Sequence, residues 1–356
     1  MIKRLQVFMV VLFLLVSTKV NAAEKVLLDS DVVDLFDDGV AMMMLATSPN
    51  IELLGVTTMT GNDWSPACVA SAIRQFEGLG ISDIPVVEGN TPSKIAKRFK
   101  NIDIENKRFG RNYNRDYNGA GNYNQPKNWR NAYIERYDAE PNLKPLNENA
   151  VDFIIRTIKA NPHEVTIVEL GPSTNLATAL KKAPEIATLV KRVVYMGGVF
   201  FVEGTEFPVA EFNMWVDPES AKYAMRSDFP EQVIVPLDAC TRAHLPRAQY
   251  MDFQDRVKST LFLEMLNNHY LWRYFETDER ETYMWDVLAA AVVIDPSVIT
   301  EEITLPVDVN DTYSLSYGET IAFRGYGPEG SKSARIILNV NEDKVHDMIR
   351  QLFDKL

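Results

Sequence analysis

The chain has 356 residues, of which 49 are Asp or Glu and 37 are Lys or Arg, giving a formal net charge of −12. An acidic excess of this size argues against nucleic-acid backbones and anionic membranes as partners, and suits a neutral or cationic ligand or a metal ion. The two cysteines, Cys68 and Cys240, lie far apart and in neither a CxxC nor a metal-type spacing, so they read as buried thiols.

The first residues, Met1-Ile2-Lys3-Arg4, precede an almost wholly apolar run from Leu5 to Val16 and the small-residue pattern Val20-Asn21-Ala22. These are the three parts of a secretory signal peptide, and the run is short for a bilayer span. Residues 1–22 are therefore set apart from the fold, and the protein is expected to be exported, either periplasmic or secreted. Removing Lys3, Arg4 and Lys19 with that segment takes the formal charge from −12 to −15. Residues 23–356 are expected to form one domain.

Val26 to Asp29 reads as a buried strand, followed by an acidic loop and a helix that begins near Asp38. Ile51–Met59 is a second strand ending at Gly61-Asn62, Pro66–Gly78 a helix, and Ile84–Gly89 a short strand. This β-α-β-α-β opening predicts an α/β fold with a mostly parallel central sheet flanked by helices, a Rossmann-like open sheet. From about 91 to 146 the pattern breaks into polar and aromatic residues, read as a long insertion or lid. Periodicity resumes with a helix over Glu148–Ala160, a strand over Val165–Leu170, a helix over Ser173–Lys182 and a strand over Val193–Met196. Pro218–Arg226 is helical, Val233–Asp238 a strand, Pro246–Phe275 mostly helical, and Trp285-Asp286 opens a helix through Val293. Short strands over Thr304–Val340 and a closing helix over Glu342–Leu356 complete the chain.

The acidic loop carries the chemistry. After Asp29 come Asp31, Asp34, Asp37 and Asp38, all within nine residues. Like charges so close raise each other's pKa when water is excluded, and a bound cation relieves them. Hard oxygen ligands favour calcium or magnesium. Ligands of open parallel sheets bind beyond the carboxyl ends of the strands, where Asp29 and Asn62 fall. Leu170-Gly171-Pro172, Met196-Gly197-Gly198, Glu211, Asn213 and Asp286 stand at later strand or helix ends. Each has an ordinary reading of its own: Asp286 as a helix N-cap, Asn213 as a turn residue, Gly197-Gly198 as a tight turn.

Taken together, Asp29-Ser30-Asp31 with Asp37-Asp38, Gly61-Asn62, Gly171-Pro172-Ser173-Thr174-Asn175, Met196-Gly197-Gly198, Val209-Ala210-Glu211-Phe212-Asn213 with Asp217-Pro218-Glu219, and Trp285-Asp286 resemble the motifs of the inosine–uridine-preferring nucleoside hydrolase family. The resemblance runs in order from about Val26 to Ile294. It implies the nucleoside hydrolase fold, calcium-dependent hydrolysis of the N-glycosidic bond of ribonucleosides, and a homo-oligomer. It further implies that Asp31, Asp38, Asp286 and the Leu170 carbonyl bind Ca²⁺, with Asp31 also the base for the attacking water. Asp37, Asn62, Asn213 and Asp286 would hold the ribose 2′- and 3′-hydroxyls, Glu211 would reach the 5′-hydroxyl, and Asp29 would support the loop from behind. Many family members carry a His where Trp285 stands. Trp285 instead resembles the purine-specific branch, in which an indole stacks on the base and aids its protonation. Trp64, Trp129 or a lid tyrosine is expected to supply a second stacking ring.

Two departures from the family pattern stand out. Five residues, Val32 to Phe36, separate the two acidic pairs where the family has three including a Gly, so Asp34 competes with Asp37 for its role. Gly204-Thr205 stands where the family often has Gly-Asn near the 5′-hydroxyl. Two other readings share these residues. A nucleoside- or ribose-binding protein on the same scaffold would need no catalysis. A haloacid-dehalogenase-like phosphatase would use Asp29 as nucleophile and Asp31 as acid/base, but would leave Ala210-Glu211-Phe212-Asn213 unexplained.

Overall fold

A computed structural model describes residues 22–35, 37–92, 107, 120, 123–206, 208–268 and 282–356. The expected signal peptide up to Asn21 and half of the expected insertion (93–106, 108–119 and 121–122) lie outside the described residues, as does the end of the expected helix toward Phe275.

One sheet of nine strands draws on residues from Glu24 to Val340. Its members are β1 (Glu24–Ser30), β2 (Ile51–Thr58), β3 (Val86–Val87), β4 (Val165–Glu169), β5 (Arg192–Met196), β6 (Gln232–Val235), β9 (Ile299–Val309), β10 (Thr320–Ala322) and β11 (Lys332–Val340). The spatial order is β10-β9-β11-β6-β5-β4-β1-β2-β3. From β11 to β3 all neighbours are parallel, and β9 and β10 add an antiparallel edge. β7 (His244–Leu245) and β8 (Thr282–Tyr283) form a separate antiparallel pair.

The near-continuous apolar runs are those of strands covered on both faces. Val26 and Leu28 of β1, Val168 of β4, Val194 of β5 and Val233 of β6 enter one core. Leu27, Ile167, Val193 and Ile234, one position out of phase, enter the other. Helices Asp38–Thr47, Ser65–Leu79, Asp286–Ile294 and Glu342–Phe353 cover the first face. Helices Ala150–Ala160, Thr174–Lys182 and Pro218–Met225 cover the second. Among the described residues no helix is long and apolar enough to cross a membrane.

Three expectations need correction. The β6 strand stops at Val235, and Leu237–Cys240 is a helical turn, because Pro236 has no N–H to continue the ladder. The C-terminal region holds two long strands of 11 and 9 residues rather than short ones. Within the expected patternless stretch, Trp129–Tyr137 is a helix whose first turn is capped by Asn128, its side chain accepting from the Asn131 N–H.

The strand order places the site. β1 lies between β2 and β4, and the chain leaves the carboxyl end of β1 toward β2 but that of β4 toward β5, in opposite directions. That divergence opens a crevice beyond Ser30 and Glu169, where open α/β sheets bind ligands.

Candidate functional site

A cavity of about 280 Å³ lies over this crevice. Asp37, Asn62, Leu170, Glu211, Asn213, Trp285 and Asp286 line it, drawn from five separate stretches of the sequence. Asp31 and Asp38 have no solvent exposure and sit behind the lining residue Asn62. The Asn62 N–H donates to Asp31 Oδ2 at 2.6 Å, and its side-chain amide donates to Asp38 Oδ2 at 3.0 Å. Asp38 Oδ1 accepts from the Ser30 hydroxyl at 2.8 Å. Asp38 also begins the helix Asp38–Thr47, so its charge meets the positive end of the helix dipole.

Asp37, Asp38 and Asp286 bring one carboxylate oxygen each within 4.8 Å of one another. Asp37 Oδ1 accepts the N–H of Asp286 at 2.8 Å, joining the first acidic loop to a helix start 249 residues later. Asp37 holds a φ of 68°, a left-handed conformation that costs a non-glycine residue of this kind on the order of 1–3 kcal/mol. Asp34 is elsewhere: the Tyr137 hydroxyl donates to its carboxylate, and it does not line the cavity. The two-residue excess in the loop is thus resolved with Asp37 inside and Asp34 outside.

Two glycines make room for Asp31. A Cβ on Gly61 would stand 1.9 Å from Asp31 Oδ2, and one on Gly171 would stand 3.0 Å from Asp31 Oδ1. The first approach is impossible for any other residue without moving the carboxylate.

Asp29 is buried beside β2 and β4. Its Oδ1 accepts from the Thr57 hydroxyl at 2.5 Å and from the Asn175 amide at 2.9 Å, and Asn175 also donates to the Thr58 carbonyl. Directly across the strand pair lies Glu169, fully buried. Burial and the neighbouring Asp29 charge push the Glu169 carboxyl well up, while burial raises Asp29 to about 6. Glu169 drew no attention in the sequence because it sits inside an apolar strand. Only its register against Asp29 makes it notable.

Glu211 caps the short helix Phe212–Val216, accepting from the N–H groups of Asn213 at 2.9 Å and Met214 at 3.2 Å, and from Gly198 at 2.9 Å. Burial still raises its carboxyl to about 7 against these bonds. The Asn213 side chain donates to the carbonyls of Met196 at 3.1 Å and Leu170 at 3.3 Å. Trp285 is half-buried and meets Tyr283 edge-on at 6.2 Å. Of the rings expected to stack opposite it, Trp64 is buried with its indole N–H donating to the Tyr123 carbonyl, and neither it nor Trp129 lines the cavity. Phe212 does. Thr205 and Glu206 also line it, so the Gly204-Thr205 departure falls at the cavity wall. The lid tyrosines between 113 and 117 lie outside the described residues.

The donor set fits a hard divalent cation. Burial raises Asp31, Asp37, Asp38 and Asp286, and mutual repulsion adds to this, chiefly from Asp38 on Asp31 and from Asp37 on Asp286. Asp31 Oδ1 is buried and accepts no hydrogen bond. Among the described residues no Lys, Arg or His lines the cavity to neutralise this charge. An all-oxygen cluster with an unfilled buried lone pair is the chemistry of a Ca²⁺ or Mg²⁺ site. Asp37, expected only on ribose, here stands close enough to Asp38 and Asp286 to share the cation's field.

The chain resembles known proteins over most of its length. The inosine-uridine preferring nucleoside hydrolase family profile matches residues 26–347. An inosine-uridine preferring nucleoside hydrolase of Crithidia fasciculata is 30% identical over 312 residues, covering 86% of this chain and 90% of that protein. An uncharacterised protein of Schizosaccharomyces pombe is 33% identical over 221 residues, and the chain spans 63% of its length. The solved structure of a purine-preferring ribonucleoside hydrolase from Gardnerella vaginalis superposes with a TM-score of 0.72 at 25% identity, covering 93% of this chain and 99% of that one.

Two outcomes are expected. Gly61→Ala displaces the Asp31 carboxylate and weakens calorimetrically measured Ca²⁺ binding by roughly tenfold or more, with the fold retained. In excess chelator, the raised Asp29 and Glu211 pKa values make thermal stability fall as pH rises. The folded groups stay protonated to about 6 and about 7, whereas unfolded ones ionise near 3.8 and 4.5. The melting temperature therefore declines from about pH 4 to about pH 7, and Glu211→Gln makes the decline shallower.

Proposed function

This chain belongs to the inosine-uridine preferring nucleoside hydrolase family, a family of N-glycosyl hydrolases, and from that premise we propose that it hydrolyses the N-glycosidic bond of ribonucleosides in a Ca²⁺-dependent reaction. The observation that carries the reading is the Asp37, Asp38 and Asp286 cluster, with Asp31 buried beside Asp38 and Asn62 bonded to both, beneath a cavity that also offers Asn213 and Glu211. The family match across residues 26–347 leaves no place for the phosphatase alternative.

Asp31, Asp38, Asp286 and the Leu170 carbonyl would hold the cation. When bound, Ca²⁺ supplies the positive charge that keeps these buried carboxylates ionised and orients a water at the sugar. Asp31 then has a proton-accepting oxygen, Oδ1, with no competing donor. It takes the proton of the attacking water, a role that contributes about 10²–10⁴-fold. Asp37, Asn62, Asn213 and Asp286 hold the ribose 2′- and 3′-hydroxyls, and Glu211 holds the 5′-hydroxyl. As the glycosidic bond breaks, the ribosyl group gains positive charge, and the surrounding carboxylates stabilise it. Among the described residues the cavity lining is acidic or uncharged, which suits a neutral nucleoside.

At the leaving-group end, Trp285 stacks on the base and favours its protonation by a solvent proton as the bond breaks, and Phe212 lines the same cavity. A purine offers the larger face, so inosine and guanosine are the preferred substrates in this reading. The Lys3-Arg4 start and the apolar run to Val16 support export, with residues 1–22 removed and 23–356 acting as one hydrolase domain carrying an insertion at about 91–146. The enzyme would then salvage nucleosides outside the cytoplasm.

Release of ribose from inosine, guanosine and uridine, with and without chelator, tests the reaction. Ribose from at least one nucleoside, abolished by chelator and restored by Ca²⁺, is the expected result; binding without release would instead favour a nucleoside-binding protein. Asp31→Ala and Asp286→Ala are expected to lower kcat by about 10²-fold or more, because each removes a cation ligand. Trp285→Ala should cost purine nucleosides roughly 5- to 150-fold in kcat/KM, the worth of one stacked base. A nucleoside with an activated leaving group should lose less, and equal losses would remove the stacking role.

A further inference from the structure

The helix Trp129–Tyr137 touches the cradle from behind at two points, and neither contact belongs to the cavity wall. The Tyr137 hydroxyl donates to the Asp34 carboxylate on the loop after β1. The neighbouring Arg136 forms an ion pair with Asp63 on the loop after β2. Ser71 of the Ser65–Leu79 helix lies between the two, within 2.8 Å of the Arg136 guanidinium and 3.3 Å of the Tyr137 hydroxyl.

Each anchored residue stands close in sequence to a cradle residue. Asp34 precedes Asp37 by three positions, with fully buried Leu35 between them. Asp63 directly follows Asn62, whose two donors fix Asp31 and Asp38. The Asp63 carbonyl also accepts the Gly61 N–H at 3.0 Å. The loop after β1 has five residues between its acidic pairs and no glycine to relax its turn. It nevertheless holds Asp37 at a φ of 68°. Such a conformation persists only where the surroundings over-determine it. On the cavity side the Asp286 N–H restrains it; on the far side the Asp34 contact does, helped by the Gln75 amide donating to the Val33 carbonyl at 3.2 Å.

The Trp129–Tyr137 helix is itself fixed without Asp34. Tyr133 meets Tyr137 edge-on at 5.0 Å, and the Arg74 guanidinium lies over both rings, at 5.8 Å and 5.3 Å. Tyr133 also donates to Glu77, which accepts the N–H groups of Asn142 and Leu143. Burial and the Asp34 charge hold the Tyr137 phenol well above its ordinary range, so it stays a donor.

We propose that the Trp129–Tyr137 helix is a positioning clamp for the ribose and cation cradle, with Tyr137 acting through Asp34 and Arg136 acting through Asp63. The clamp rests on the hydrolase reading above and assigns the role of the residues by which this chain's acidic loop exceeds the family pattern. Asp34 serves the loop's outer anchorage, and Asp37 serves the cavity.

Tyr137→Phe, which deletes one hydroxyl, tests it in the full-length protein. The expected result is roughly a tenfold loss in kcat/KM for inosine, carried mainly by KM, together with weaker Ca²⁺ binding by calorimetry. The melting temperature of the Ca²⁺-free protein should move by less than about 4 °C. Asp34→Ala should reproduce these losses, Asp34→Asn should recover most of the activity because its amide oxygen still accepts, and Tyr137→Phe with Asp34→Ala should be no worse than either alone. Wild-type kinetics and Ca²⁺ affinity in Tyr137→Phe, or additive losses in the double variant, would overturn the clamp. Calcium affinity reads the clamp even if no nucleoside is cleaved, so failure of the hydrolase reading stays distinguishable from failure of the clamp.

Discussion

The structure is organised around a repulsion. Asp31, Asp37, Asp38 and Asp286 are packed beyond the carboxyl end of β1, where burial and mutual charge disfavour the ionised forms they need. Much of the nearby architecture offsets that cost. The Asn62 amides, the Ser30 hydroxyl, the Asp286 N–H and the start of the Asp38–Thr47 helix each direct positive charge at a carboxylate. What they leave over, including the bare Oδ1 of Asp31, is the demand that a divalent cation satisfies.

Such a cluster needs a rigid mount, and the doubly covered sheet provides one. Alternate residues of β1, β4, β5 and β6 fill two separate cores, so none of these strands is free to slip in register. The divergence of connections between β1 and β4 then opens the crevice at the one place where four strand ends present ligands together. Gly61 and Gly171 let the backbones of two neighbouring loops close on Asp31 from both sides.

Behind the first layer lies a second set of polar contacts whose task is orientation. Asn175 ties Asp29 to β2, Asp217 accepts from the Thr174 hydroxyl at 2.7 Å while capping the Pro218–Met225 helix, and Asp238 accepts the N–H groups of Phe200 and Phe201. The Trp129–Tyr137 helix extends this support to the lengthened acidic loop. A cradle under internal repulsion can thus keep one geometry before substrate arrives, which is what transition-state stabilisation by fixed charges requires.

Local pattern determined a good deal by itself. Uninterrupted apolar strands alternating with amphipathic helices dictate a parallel sheet, because only that arrangement buries both strand faces. The crowding of Asp29 to Asp38 points to a cation, because like charges so close raise one another's pKa where water is excluded. Residues Asn62, Glu211, Asn213 and Asp286 were legible because each ends a recognisable strand or opens a helix within a family motif. The tertiary structure alone decided the rest. It set Asp37 inside and Asp34 outside, which depends on a tyrosine 103 residues away. It put Phe212 rather than Trp64 on the cavity wall, which depends on which way each ring turns. It paired Glu169 with Asp29, which depends on strand register. Periodicity and spacing report which face a residue occupies; they carry no information about which distant side chain meets it there.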